Sequence, residues 1–530
     1  MPATPRPPDI AETIDRLIAE RDAIMVERDS YKRLYLEMLA QCRKLELGII
    51  GRGRERDLGN PNQIAMSLIG MLTGAEAESA PPAEKETVRA HERAKPTGRQ
   101  PLPSSLPRVD VTVLPLEVEQ KGLDAFEKIG EDVTETVERR PASLVVVRVT
   151  KPKFVAKDRD LKFETTVLQA PPPELPIERG LAGPALLAHT IVSRWADHLP
   201  LHRMERIYGR DGLPLSRSTV CDWHLQLKKL VAPLIDAMWK DALTSPYLCT
   251  DATGVLVQAD KKCKTGHFFV VAVPERAVLF GYSPKHNGAA VDALLGGYEG
   301  TLVADAHAVY NHLYEDGKVI EAGCWAHARR YFFKALASEP ERARRALEQI
   351  GKLFALERTH DKLPPEARQS SRQQNAKPIL ESFEAWCDAT RPTAIDETPL
   401  ARAIGYATNQ RKALRQFLDD GRLPIHNNWS ERELRREAIG RKNWTFLGSD
   451  DGGDANATFM SLIASCQLHG LDPAEYLRDL FCLLPSWRAS DVLALAPAKW
   501  RETAARDEVR ASLAANIYRR ASLGELDPRA

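Results

Sequence analysis

The sequence predicts a multidomain α/β protein. Strand-like runs cluster between residues 246 and 324, helical segments flank them, and residues 326–420 are mainly helical. At 530 residues the chain can hold several domains, each with its own core. Charged residues make up 28% and hydrophobic ones 43%, an ordinary globular balance. The formal net charge is only +1, so any contact with a polyanion must come from local basic patches. The eight cysteines are scattered and none forms a Cys-x-x-Cys pair. A disulfide framework is therefore not expected, and a reducing cytoplasm fits. No signal-peptide core is visible, and no apolar run nears the roughly 20 residues that span a bilayer, so no membrane partner is expected.

Residues 1–48 are expected to form a coiled-coil helix. Over residues 10–46 a 4-3 spacing runs through Ile10, Ile14, Leu17, Arg21, Ile24, Arg28, Tyr31, Tyr35, Met38, Cys42 and Leu45. Nine of these eleven are apolar or aromatic, which suits a seam between two helices. An amphipathic helix packed on its own domain would show the same pattern. Residues 74–108, rich in Pro, Glu, Ala and Arg, read as a disordered linker. Residues 109–175 carry alternating runs, such as 143–149 and 163–168, and read as a small β-rich module.

Residues 181–240 are expected to be helical, with a helix-turn-helix pattern. Ser216 can cap the second helix of the pair, and Leu215 and Val220 stand where a hydrophobic staple would pack. Val220, Trp223, Leu227 and Leu230 form its apolar face. Arg217, Ser218, His224 and Lys228 are left outward, a surface suited to a DNA groove. Any helical hairpin resembles this pattern.

Residues 245–450 form the next expected domain. Strand-like segments at 246–258, 267–274 and 277–283 precede a helix near 289–298. A strand at 300–305, a helix at 308–314 and a strand at 319–324 follow. Three strands, helix, strand, helix, strand is the order of a ribonuclease-H-like core, here with a helical insertion at 326–420. Residues 455–530 read as a C-terminal helical region, with a charged, peripheral helix beyond Trp500.

In that order three acids take informative places. Asp251 lies in the first strand, Asp305 ends the fourth, and Glu431 opens a helix after the insertion. Converging carboxylates hold hard divalent cations, which prefer oxygen ligands. Two such ions, about 3.5–4 Å apart, can drive phosphoryl transfer. Each acid has a structural reading too. Asp251 could serve a turn, Asp305 could cap a helix, and Glu431 could complete a capping box with Asn428.

Arg435, Arg436, Arg441 and Lys442 follow Glu431 and could position a phosphate backbone; Trp444 could stack on an unpaired base. A solvated helix face with a core tryptophan is the competing reading. Cys324 and His327 offer two soft ligands without a second pair, so no zinc is expected and a supporting structural role is assigned to them.

The chain resembles the large DDE transposase of the insertion sequence 66 family. The likeness rests on segments at 180–189, 196–201, 215–219 and 322–330. More specific are Asn427 and Asn428 with Glu431 and Arg432, then 440–444 and 470–473. The resemblance implies that Asp251, Asp305 and Glu431 are catalytic and hold Mg²⁺ or Mn²⁺. It implies double-stranded DNA as partner, both terminal inverted repeats and target, and adds small accessory proteins of the same element. Two departures stand out. The region where family members carry a cysteine-rich zinc finger, about 115–170, has no cysteine here, and Ala252 follows Asp251 where the family often has Glu.

The expected function is therefore a DNA transposase: metal-dependent cleavage at the element ends, then strand transfer, by a homo-oligomer joined through the coiled coil. The rivals are a catalytically inactive DNA-binding repressor or domesticated derivative, and a metal nuclease that does not join strands.

Overall fold

The computed structural model describes residues 10–46, 102–140, 143–156, 167–260, 262–360 and 362–526. The chain divides into two compact units, residues 1–99 with 323–425, and residues 100–322 with 426–530. Helices and two sheets make it a mixed α/β protein.

The first unit begins with α1 (Ile10–Glu46), a single helix over the span the seam predicts. Its seam residues Ile24, Tyr31, Tyr35 and Met38 are exposed.

The second unit opens with a sheet of β1 (Arg108–Thr112), β2 (Phe126–Arg140), β3 (Ser143–Ala156) and β4 (Leu168–Gln169), with the short helix α2 (Leu116–Lys121) after β1. β3 lies at its centre, parallel to β1 and antiparallel to β2 and β4. The strand expected at 163–168 lies largely outside the described residues. So does most of the linker, but residues 102–108 correct its disordered end. Leu106 is buried, and Arg108 donates to the carbonyls of Leu102, Pro103 and Leu106 at 3.0–3.2 Å.

Three helices follow, α3 (Pro184–Trp195), α4 (Leu201–Arg210) and α5 (Arg217–Ala242). Ser216 caps α5 as expected, its hydroxyl accepting from Thr219 N at 3.2 Å. Leu215, Val220, Trp223 and Leu227 are buried.

The second sheet contains β5 (Tyr247–Val257), β6 (Lys264–Val273), β7 (Ala277–Ser283), β8 (Gly300–Val303) and β9 (Val319–Ala322), with α6 (Gly288–Leu295) between β7 and β8. The order across the sheet is β7-β6-β5-β8-β9. β5, β6 and β7 are an antiparallel meander, while β8 and β9 run parallel to β5. Phe268–Val273 of β6 is a continuous buried apolar run, as a strand covered on both faces requires.

The next helices belong to the first unit: α7 (Trp325–Ala335), α8 (Pro340–Thr359), α9 (Pro365–Ser371), α10 (Lys377–Thr390), α11 (Pro399–Asn409) and α12 (Arg411–Arg415). Between α9 and α10 a π-helical turn carries Arg372, fully buried. Its guanidinium bonds both Glu357 oxygens and the carbonyls of Phe417, Asp420 and Leu423 at 2.6–3.0 Å. One side chain thus fixes the loop after α12.

The chain returns to the second unit with α13 (Asn428–Trp444), α14 (Asp450–Leu468) and α15 (Pro473–Leu483), then α16 (Trp500–Ala504), α17 (Asp507–Ala515) and α18 (Ile517–Ser522). A Cβ on Gly281 would strike Leu294 of α6, and one on Gly453 of α14 would strike neighbouring Tyr282. Adjacent strand residues point oppositely, so α6 and α14 cover opposite faces of the sheet. Ser461 and Ser465 of α14 accept from Phe280 N and Val278 N, at 2.7 and 3.1 Å, so the edge strand β7 is not left with these donors bare. The tail is not peripheral, contrary to expectation: Tyr518 and Ala521 of α18 are buried against Val147 and Val149 of β3.

Candidate active site

β5 and β8 run side by side in parallel, with Cys249 paired to Val303. Asp251 lies on β5 two residues past this pair, and Asp305 follows β8, which ends at Val303 and not at Asp305 as expected, so both acids lie just beyond the paired ends of neighbouring parallel strands. Both acids are half-buried. Near both lies Tyr310, 2% exposed. Burial first, then the charges of Asp305 and Asp251, push its hydroxyl pKa above the usual tyrosine value, against the nearby Thr250 side chain. One buried hydroxyl therefore senses both carboxylates.

Glu431 comes from α13, which docks on β5. Asn427 is fully buried at its start. The amide Nδ2 donates to the Thr250 carbonyl of β5 at 2.7 Å, and Oδ1 accepts from Ser430 Oγ at 2.6 Å. Further along, Arg441 donates to Thr253 Oγ1 at 3.1 Å and to the Gly254 carbonyl. Thr253 stands two residues beyond Asp251 on one strand, so both side chains point to the face that α13 covers. Leu447 then bridges to β5, exchanging hydrogen bonds with Leu256 and Gln258 at 2.8 Å. Glu431 therefore stands in the first turn of a helix tied beside Asp251, and its N–H bonds Asn427 O at 3.3 Å.

These contacts correct the capping assignment. The cap is Asn427, and Asn428 is an exposed first helical residue. The sequence marks Asn427 only within the family resemblance and gives it no structural role, although its spacing from Ser430 is a usable sign.

The other candidate residues divide. Arg217, Ser218, Arg435 and Lys442 are exposed. His224, expected to face outward, is 4% exposed. It shares a 3.1 Å hydrogen bond with Thr190 and packs its ring 4.7 Å from Trp195. Burial, then Arg194, lowers its pKa to about 3, so it stays neutral. The error has a geometric source. α3 and α14 enclose α5 on more than one side, which a single-helix pattern does not reveal. Lys228 is likewise drawn in, 3.5 Å from Asp451 and 3.7 Å from Asp454. Arg436 is held by Glu433 at 2.7 Å and by Gln467, and Arg441 by β5. Trp444 lies under the Arg194 guanidinium, 5.4 Å from ring centroid to Cζ, so it is not a bare stacking platform.

A buried polar group backs α13. Glu437, 1% exposed, accepts from Asn456 Nδ2 at 3.1 Å. Burial raises its pKa to about 7, against the Asn456 bond and the charges of Arg194 and Arg441. Beside Asp305, three imidazoles stand in a row. His286 is 4.5 Å from His307 and 4.8 Å from His267, ring centre to ring centre. Cys324 is buried at the start of α7 and His327 is half-buried in that helix, both in the first unit, whereas the three acids are in the second.

Among the described residues, no three His, Cys, Asp or Glu side chains are grouped closely enough to hold a metal ion. The donors of the trio are all carboxylate oxygens, the chemistry that suits Mg²⁺ or Mn²⁺ and not a soft ion. None of the described helices is long and apolar enough to cross a membrane.

Residues 179–455 match the family model described as Transposase IS66 family, and residues 461–498 match the IS66 C-terminal element. Residues 39–111 match a model described as Transposase C of IS166 homeodomain. Similar proteins from Sinorhizobium fredii include uncharacterized protein y4hP, 28% identical over 87% of this chain and 88% of its own length. Uncharacterized protein y4qI is 32% identical over 76% of this chain and 77% of its own length. The match across the second sheet and α13, with these relatives, establishes that the chain belongs to the IS66 transposase family.

Proposed function

We propose that this chain is a DDE transposase that cuts DNA at the terminal inverted repeats of its element and joins the released ends to target DNA. The observation that carries the reading is that β5, which bears Asp251, and β8, which leads into Asp305, are parallel neighbours, with Glu431 on a helix anchored to β5 through Asn427. The sheet order, a meander followed by two parallel strands, supports a ribonuclease-H-like core over residues 245–450, with the helical insertion at 326–420.

Asp251, Asp305 and Glu431 are the catalytic residues in this reading. Mg²⁺ or Mn²⁺ held by their oxygens would supply charge neutralisation at the phosphodiester and an acidified water. The chain's own work is positioning. β5 and β8 fix two carboxylates, Asn427 and Arg441 fix the third, and exposed Arg435 and Lys442 are placed to hold phosphates. Residues 181–240, with Arg217 and Ser218, recognise the ends together with the β-rich module at 109–175. The exposed seam of α1 pairs protomers, so two ends can be held at once.

The test uses the full-length protein, duplex DNA carrying the element ends, and Mg²⁺. Cutting and joining are expected. Asp251→Asn, Asp305→Asn and Glu431→Gln should each abolish cutting and leave end binding intact. Full activity in any of the three removes that residue from the set. Binding without reaction identifies a repressor, and cutting without joining identifies a nuclease.

A further inference from the structure

The surface first read as the DNA-facing one has lost half its members, since His224 is buried and Lys228 is ion-paired. The preceding helix supplies a better surface. α4 reads Leu-His-Arg-Met-Glu-Arg-Ile-Tyr-Gly-Arg from Leu201 to Arg210. Met204 and Tyr208 are 1% and 2% exposed, one turn apart on the inner face. Tyr208 is pinned there, its hydroxyl 2.5 Å from His189 Nδ1 of α3.

Arg203, Arg206 and Arg210 are all exposed. At about 100° per residue they fall within an arc of roughly 60°, nearly opposite Met204 and Tyr208. They extend over about 10 Å of helix axis. Glu205 is the only acid on the helix, and it lies off that arc. Among the described residues, no carboxylate is paired with any of the three arginines. This differs from the neighbouring cations: Lys228, Arg436 and Arg441 all have protein partners. The turn after α4 brings exposed Arg217 and Ser218 to the start of α5, with Leu213 and Leu215 buried beneath.

We propose that the Arg203–Arg206–Arg210 face of α4 is a docking surface for the phosphate backbone of duplex DNA. This rests on the transposase reading and deepens it, because it separates the element that grips the backbone from the element that reads bases. A guanidinium fork matches phosphate geometry, and three unpaired forks on one helix face lose no protein contact when they bind. With a net charge of only +1 the whole chain has no long-range field to gather DNA, so a local array must do it. Backbone contacts set affinity and register and carry no sequence information, so their loss acts alike on every duplex.

The experiment measures binding of the full-length protein to a duplex oligonucleotide with an element end, and to one of scrambled sequence, across a salt series. Each phosphate contact contributes about 0.9 to the slope of log affinity against log salt. Replacing the three arginines by alanine should lower that slope by about 2 to 3 and weaken both duplexes by the same factor. The triple replacement by lysine should keep most of the slope. Arg206→Glu alone should lower it by about 1, which keeps the test available if the alanine triple misfolds. An unchanged slope in a folded alanine triple or in Arg206→Glu overturns the proposal while leaving the transposase reading standing. A loss confined to the element-end duplex overturns it too, because that marks base readout. Absence of duplex binding by the unaltered protein at any salt overturns both.

Discussion

Asn427→Ala isolates the contact that places Glu431. The side chain is fully buried and joins two elements, donating to the Thr250 carbonyl at 2.7 Å and accepting from Ser430 at 2.6 Å. Truncation removes two hydrogen bonds of about 1 kcal/mol each and leaves the Thr250 carbonyl without this donor, which adds roughly 1–2 kcal/mol. The expected loss is about 3–4 kcal/mol, concentrated where α13 meets β5. Hydrogen–deuterium exchange reads it locally. Amides in 247–257 and 428–444 should exchange about 150- to 1000-fold faster, if they open as one unit. Cleavage should fall by about 100-fold, the order expected when a reacting group is displaced by about 1 Å. Ser430→Ala, which keeps the bond to Thr250, should cost only about 1 kcal/mol. Unchanged protection in both peptides, or equal losses in the two variants, would refute the anchoring role.

Glu138 gives a pH prediction. It is fully buried near the start of α3, accepts from Leu186 N at 2.7 Å, and is pushed up to about 8 by burial, against backbone hydrogen bonds and Arg478. A raised carboxyl favours the folded state below its unfolded value of about 4.5, and that contribution is lost as pH rises to about 8, some 5 kcal/mol in all. The melting midpoint should fall from pH 5 to pH 8, and Glu138→Gln should flatten the fall; an unflattened profile would contradict the assignment. Arg372→Met removes the guanidinium from Glu357 and three carbonyls, so peptides over 416–423 should lose about 3–5 kcal/mol of exchange protection. Unchanged exchange there would show that other contacts fix the loop. Deleting residues 1–48 should reduce the particle mass seen by light scattering, and an unchanged mass would place self-association elsewhere.

Much of the fold was legible because local pattern and tertiary role agree. The 4-3 seam fits α1, the Ser216 cap starts α5, and the apolar run Phe268–Val273 marks the interior strand β6. What failed did so for a common reason. His224 and Lys228 were placed from one helix's periodicity, yet α3 and α14 close over that helix from other parts of the chain. The tail beyond Trp500 looked peripheral from its charges, but Tyr518 and Ala521 find β3, more than 360 residues earlier. Asn428 looked like the cap, and only the reach to Thr250 singled out Asn427.

By itself the sequence determined most of the order of strands and helices, because period, caps and turn residues act over a few residues; the three acids were singled out only with the family resemblance. It could not say that β5 and β8 lie side by side in parallel, which depends on the pairing of two strands joined by a long crossover. Nor could it say which cations stay free. An arginine's availability depends on whether a carboxylate from elsewhere reaches it. For Arg203, Arg206 and Arg210 no such partner stands among the described residues, whereas Lys228 meets Asp451 and Asp454. That difference is set by packing between distant segments, so only the tertiary structure decides it.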